Sequence, residues 1–182
     1  MKYLKNRGIA AAVMVVLIVG GLLIGSHRPL AGLVKETEAA LAAGVEGDGY
    51  GIQGCLDDRA ASAYNLVTVA RRYLDENDKR VRAVLDARQE LADAQTPPQK
   101  FAANRKLSEA TEELYRELKT VDLPEKDAGY PDRIHADLLA SEDIISRDGY
   151  NRAAEECNAR LAQFPANILG PLTGVRPVEY FR

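Results

Sequence analysis

No charged residue falls between Arg7 and His27, and this one gap constrains the fold more than any other feature of the chain. The uncharged run Ile9 to Ser26, IAAAVMVVLIVGGLLIGS, reaches about 27 Å as a helix, close to the roughly 30 Å of a bilayer's hydrocarbon core. Gly20, Gly21 and Gly25 weaken a helix in water but are ordinary in lipid, where unpaired backbone groups are too costly. A cleavable signal has the same basic start. The run is longer than a usual signal core, however, and Gly25-Ser-His-Arg-Pro29 lacks an A-x-A cleavage site, so a retained anchor is expected. Lys2, Lys5 and Arg7 before the run, against Arg28 and Lys35 after it, tilt the amino terminus toward the cytoplasm and the remaining chain outward; the opposite orientation stays open.

The chain has 182 residues, enough for one domain with a core beyond the anchor. Apart from the first eight residues, 21 Lys and Arg face 27 Asp and Glu, a net of −6, which argues against a nucleic-acid partner. Three Phe, no Trp and abundant Ala, Leu, Glu and Arg point to helices. The expected organisation is a basic tip over 1–8, a transmembrane anchor over 9–26, a juxtamembrane segment with a Gly-rich loop over 27–54, and a helical bundle over 55–182.

Leu33 to Ala43 reads as a short amphipathic helix, and Gly44 to Gly54, with five glycines, as a flexible connector. Gly49-Tyr-Gly51-Ile-Gln-Gly54 has the spacing of a dinucleotide fingerprint, with Asp75 or Glu76 at the distance of a ribose-binding acid. It lacks the β-strand such a motif must follow, because a helical segment precedes it. Leu56, Ala60, Ala63, Val67, Ala70 and Leu74 mark one helix face, which resumes in phase at Val81, Val84 and Leu91. Asp75/Lys79, Glu76/Arg80 and Asp78/Arg82 are acid-before-base pairs four apart, which predicts one unbroken helix. Arg71, Arg72, Lys79, Arg80 and Arg82 are interleaved with acids, as on a solvated face. Thr96-Pro97-Pro98-Gln99 reads as a helix start, Thr96 capping and Gln99 reaching back. Phe101, Leu107, Thr111, Leu114, Leu118 and Val121 then mark a second helix. Leu123 to Pro131 reads as loop, and a third helix carries Ile134, Leu138, Ile145, Ala153, Cys157, Leu161 and Phe164 on one side up to Pro165. The predicted fold is all-α, a transmembrane helix followed by an elongated up-and-down antiparallel bundle with coiled-coil-like packing.

No G-x-S-x-G motif is present, and neither His27 nor His135 has an evident catalytic partner. A single Asp132-Arg-Ile-His135 is half of what a di-iron bundle needs, so no metal and no cofactor is expected and His135 reads as exposed. Cys157 lies on the apolar stripe and Cys55 opens the first long helix. In a three-helix bundle they fall at opposite ends, so two free thiols are expected, unless the first helix folds back near Asn77.

Tyr150-Asn151 and Cys157-Asn158 lie seven residues apart, followed by Phe164-Pro165-Ala-Asn-Ile-Leu169, Gly174 and a terminal Tyr180-Phe181. Upstream stand Asn65-Leu66-Val67, Tyr73, Val84, Ala87-Arg88 and Tyr130-Pro131. In this order the motifs resemble the LemA family from about Arg59 to the end, with Cys157 where that family has a second Tyr. The expected Pro before Asn-Leu-Val is absent, the stretch between Tyr130-Pro131 and Tyr150-Asn151 is short, and the Gly loop looks inserted, as in a divergent member. The resemblance implies a single-span membrane protein with an elongated helical bundle and no established catalytic activity, and it supplies no active-site residues.

The chain is therefore expected to be a non-enzymatic, membrane-anchored interaction or scaffold module at the cell membrane, its partners the bilayer and another envelope protein. The alternative is a sensor of a small ligand or peptide, with a polar pocket using Asn65, Tyr150, Asn151 and Asn158. Against a pocket stands a packing role, in which Tyr150 buries its ring and Asn151, Asn158 and Asn167 tie down helix ends and the carboxy-terminal tail.

Overall fold

A computed structural model describes residues 7–45, 47, 49–75 and 77–182, except the side chain of Ser26. Lys2, Lys5 and most of the basic tip lie outside these residues, as does Glu76. The described residues are helical without a strand: α1 Arg7–Ala43, α2 Ile52–Ala70, α3 Lys79–Asp93, α4 Pro97–Leu118, α5 Glu125–Ala128, α6 Tyr130–Arg147, α7 Tyr150–Leu161 and α8 Ala166–Thr173. They divide into two compact units, Met1–Ala39 with Arg152–Val178, and Ala40–Asn151 with Glu179–Arg182.

In the second unit, α2, α3, α4 and α6 form an up-down-up-down bundle, and side-chain pairs fix each direction. Arg59, in the first half of α2, meets the carbonyl of Leu138 midway along α6, whereas Arg72 and Tyr73, just beyond α2, meet Asp127 just before α6. These two helices are antiparallel. Arg80 at the start of α3 pairs with Glu117 near the end of α4, and Glu90 pairs with Lys106, so α3 and α4 are antiparallel too. Lys119 and Asp132 give the same sense to α4 and α6. Leu56, Leu66 and Val67 of α2, Val81 and Val84 of α3, Leu107, Leu114 and Leu118 of α4, and Leu138 of α6 are buried.

The all-helical, up-and-down reading holds, but the single helix expected through 75–80 is two. Two of the acids expected to pair along a helix face, Asp75 and Asp78, cap a turn instead. Asp75 accepts the N–H of Asn77 at 2.7 Å, and Asp78 caps α3 by accepting the N–H of Arg80 at 2.8 Å. The Arg80 side chain holds the Asp78 carboxyl down to about 2. One such cap is worth about 1 kcal/mol, more than a surface pair at roughly 0.2–0.5 kcal/mol. Folding back also buries the stripes on both sides of the turn. Arg88 of α3 accordingly donates to the Ala60 carbonyl at 2.7 Å and stacks over the Tyr64 ring.

The expected third helix is likewise broken, at Asp148-Gly149, where Asp148 accepts the Tyr150 N–H at 2.7 Å. The break shifts the phase, so Ala154 rather than Ala153 is buried, with Cys157 and Leu161. Phe164, expected on that stripe, is 80% exposed. The loop expected over 123–131 contains α5, and Tyr130 and Pro131 already belong to α6. Gln99 reaches back to the N–H of Thr96 at 3.2 Å, as expected of the α4 start.

Leu33–Ala43 continues α1, which runs unbroken through Pro29. Gly54 lies inside α2, while Gly49 and Gly51 donate to the Ala43 and Ala42 carbonyls and Gly44 to Ala40. These N–H groups satisfy the open carbonyls of the end of α1, so the described part of this segment is anchored rather than a free connector. A Cβ on Gly51 would stand 2.6 Å from the Leu41 carbonyl and 2.7 Å from the Gly44 nitrogen, backbone atoms that cannot swing aside. Gly51→Ala is therefore expected to cost about 1–3 kcal/mol, measured as a lower urea midpoint. An unchanged midpoint would show that this corner is loosely held.

Candidate functional site

The 4-3-4-3 seam of α2 runs Ile52, Leu56, Arg59, Ala63, Leu66, Ala70, and it places a guanidinium among apolar neighbours. The seam of α4 runs Asn104, Leu107, Thr111, Leu114, Leu118, with an amide at the matching level. Both polar residues are buried, Arg59 at 2% exposure. Arg59 donates through Nε to Asn104 Oδ1 at 2.7 Å, through one terminal nitrogen to the Leu138 carbonyl at 2.5 Å, and through the other to Ser108 Oγ at 2.6 Å. Glu142 stands 3.0 Å from the guanidinium and also accepts from the Asn104 amide at 3.1 Å. Burial lowers the pKa of Arg59, and Glu142 opposes that shift. Every nitrogen of the side chain is engaged, so Arg59 pins α2 to α4 and α6 in one register.

A cavity of about 310 Å³ opens over this network, lined by Arg59, Ser108, Glu112, His135, Leu138 and Glu142 among others. His135, expected exposed, is half-buried: its Nε2 lies 2.8 Å from Glu112 Oε2 and its ring stacks on Tyr115 at 3.9 Å between centroids. The His135 hydrogen bond, helped by Arg116, holds the Glu112 carboxyl below its ordinary value. Tyr115 donates to Asp132 at 2.8 Å, and Lys119 and Tyr115 together keep that carboxyl low. Asp132 and His135 thus work in separate pairs. Among the described residues no three His, Cys, Asp or Glu side chains are grouped to hold a metal ion.

The four residues singled out for a pocket each have their own surroundings. Asn65 is exposed beside the α2 seam, in a groove of about 420 Å³ between α2 and α6 that Thr68, Arg72, Tyr130, Arg133 and Asp137 also line. Tyr150 is fully buried and donates to the Glu179 carbonyl at 2.9 Å. Asn151 exchanges two hydrogen bonds with the backbone of Phe181, at 2.8 and 2.9 Å. Asn158 does the same with Val178, at 2.7 and 2.9 Å. Seven helical residues advance about 10.5 Å and three extended residues about 10 Å, so the Asn-to-Asn spacing matches the tail's. Asn167 is exposed.

Cys55 and Cys157 are free and buried, although the expected reason, a single unbroken first helix, does not hold. Burial raises the Cys55 thiol pKa. Sequence reading missed Arg59, Asn104 and Glu142 as a network. The available signal was a charged and an amide residue lying on otherwise apolar seams.

The family model described as LemA family matches residues 50–182. No curated protein matches the chain.

Proposed function

The chain belongs to the LemA family, and from that premise we propose that it is a non-enzymatic, membrane-anchored interaction module that holds a partner envelope protein beside the bilayer. The observation that carries this reading is α1. It is one helix long and apolar enough, by length and composition, to cross a membrane. None of its most apolar 18-residue window is buried, and Val15, Val16, Leu17, Ile18 and Ile24 are exposed. Contiguous apolar surface on that scale marks a lipid or protein contact. In this reading the anchor is retained, the amino terminus is cytoplasmic by its basic residues, and the bundle faces outward.

The partner surface is the α2–α6 groove, where exposed Asn65, Arg72, Tyr130 and Arg133 combine hydrogen-bonding, cationic and aromatic groups of the kind enriched at interfaces. The same groove supports the second reading, a sensor of a small ligand or peptide.

Alkaline extraction and protease treatment of sealed and opened membranes test the anchor. The chain is expected to stay with the lipid and the bundle to be cut from the outer side alone. Release by alkali would overturn the anchor reading. A photo-crosslinker at Asn65 in intact membranes then tests the module. One discrete protein adduct, lost in Arg72→Glu/Arg133→Glu, is expected, whereas no protein adduct would reject the scaffold and leave the small-ligand reading.

A further inference from the structure

Phe164, Ile168 and Leu172 recur every four residues, from just before α8 to its last turn, and they stay 80%, 54% and 67% exposed. Residues 161–175 carry no charge at all, and Cys157 to Val178 contains no acid, only Arg160 and Arg176, both exposed. A chain with a net charge of −3 thus presents a locally cationic, apolar segment. The segment belongs to the same compact unit as residues up to Ala39 of α1, the helix whose apolar window is unburied. The paired bonds of Asn158 with Val178 close the base of this segment, so α8 sits in the loop between α7 and the returning tail.

We propose that α8 is a second membrane contact, an interfacial helix that sets Phe164, Ile168 and Leu172 into the headgroup–acyl boundary while Arg160 and Arg176 meet anionic lipid phosphates. Helices with an apolar face and flanking cations lie in this way about 5–10 Å into the interface. Lipid is favoured over a second copy of this chain because the segment joins cations with an apolar stripe and shares its unit with the apolar helix. The inference rests on the anchored reading given above.

The chain contains no tryptophan, so one introduced indole reports its own surroundings. Phe164→Trp and, separately, Leu172→Trp in the full-length protein are to be reconstituted into vesicles of phosphatidylcholine with phosphatidylglycerol, with and without bromine near the top of the acyl chains. Circular dichroism verifies the fold. Both positions are expected to lose at least half of their emission to the brominated lipid, to resist acrylamide, and to lose less in Arg160→Gln/Arg176→Gln. Emission quenched by acrylamide and not by bromine overturns the proposal. So does a blue shift without bromine quenching that grows with protein density, the result for a second copy. Val16→Trp, read with bromine deep in the acyl chains, separates the two readings. If Val16→Trp is quenched and α8 is not, the anchor stands and this inference fails; if neither is quenched, both fail.

Discussion

Replacing Arg59 with alanine is expected to remove about 3–5 kcal/mol of folding stability, since several acceptors in the interior each lose their donor at roughly 1–3 kcal/mol apiece. The side chain is nearly inaccessible, and its removal takes the donor from Asn104 and Ser108 of α4 and from the Leu138 carbonyl of α6. Most of the loss comes from those unpaired groups rather than from the ion pair. Glu142 keeps 44% of its side-chain surface, so its attraction is screened, and Glu142→Gln is expected to cost about 1 kcal/mol or less. Arg59→Met should fall near the alanine variant, since restoring the volume leaves the acceptors unsatisfied. Urea titration of the detergent-solubilised chain, followed by circular dichroism, gives all three midpoints. An Arg59→Ala midpoint equal to wild type would show that the network contributes nothing to folding.

The second large effect is expected at Tyr150. Tyr150→Ala empties a fully buried ring site and should cost about 3–5 kcal/mol. Tyr150→Phe keeps the ring and removes the donor to the Glu179 carbonyl, for about 1 kcal/mol. Phe181 packs edge-on against Phe101 at 5.4 Å, so the tail is held by a ring contact as well as by the asparagines. Limited proteolysis should therefore cut near residue 176 in Tyr150→Ala and spare Tyr150→Phe. Equal midpoints in the two variants would show that the ring does not carry the tail.

Much of this protein was legible in its residues because the signals are local. The uncharged run of 9–26 needs only length and polarity to be read, and Thr96-Pro97-Pro98-Gln99 needs only the geometry of a helix start. The stripe of Leu107, Thr111, Leu114 and Leu118 is likewise a matter of spacing within one element, and those residues are buried. The family resemblance, carried by motifs in order, agrees with the match over 50–182.

The failures have one cause. A stripe that resumes in phase after seven residues looks the same whether the chain continues or turns back, so the step from Leu74 to Val81 concealed the turn that Asp75 and Asp78 build. At Asp148-Gly149 the reverse occurred: a short cap shifted the phase and moved burial from Ala153 to Ala154. The pocket of Asn65, Tyr150, Asn151 and Asn158 assumed that notable polar residues converge. Instead, Asn151 and Asn158 spend their amides on a tail that is distant in sequence.

By itself the sequence determined the class of structure: a helix apolar enough to cross a bilayer, then amphipathic helices that must bury one face each. Hydrophobicity and period are properties of a segment, and they suffice for that. Only the tertiary structure decided how many helices there are, which polar residues lie inside, and which apolar ones stay outside. Arg59 is buried because Asn104, Ser108 and Leu138 arrive from other helices to receive its donors, and Phe164 is exposed because nothing described in the fold comes to cover it. Those outcomes depend on partners far along the chain, which local spacing does not encode.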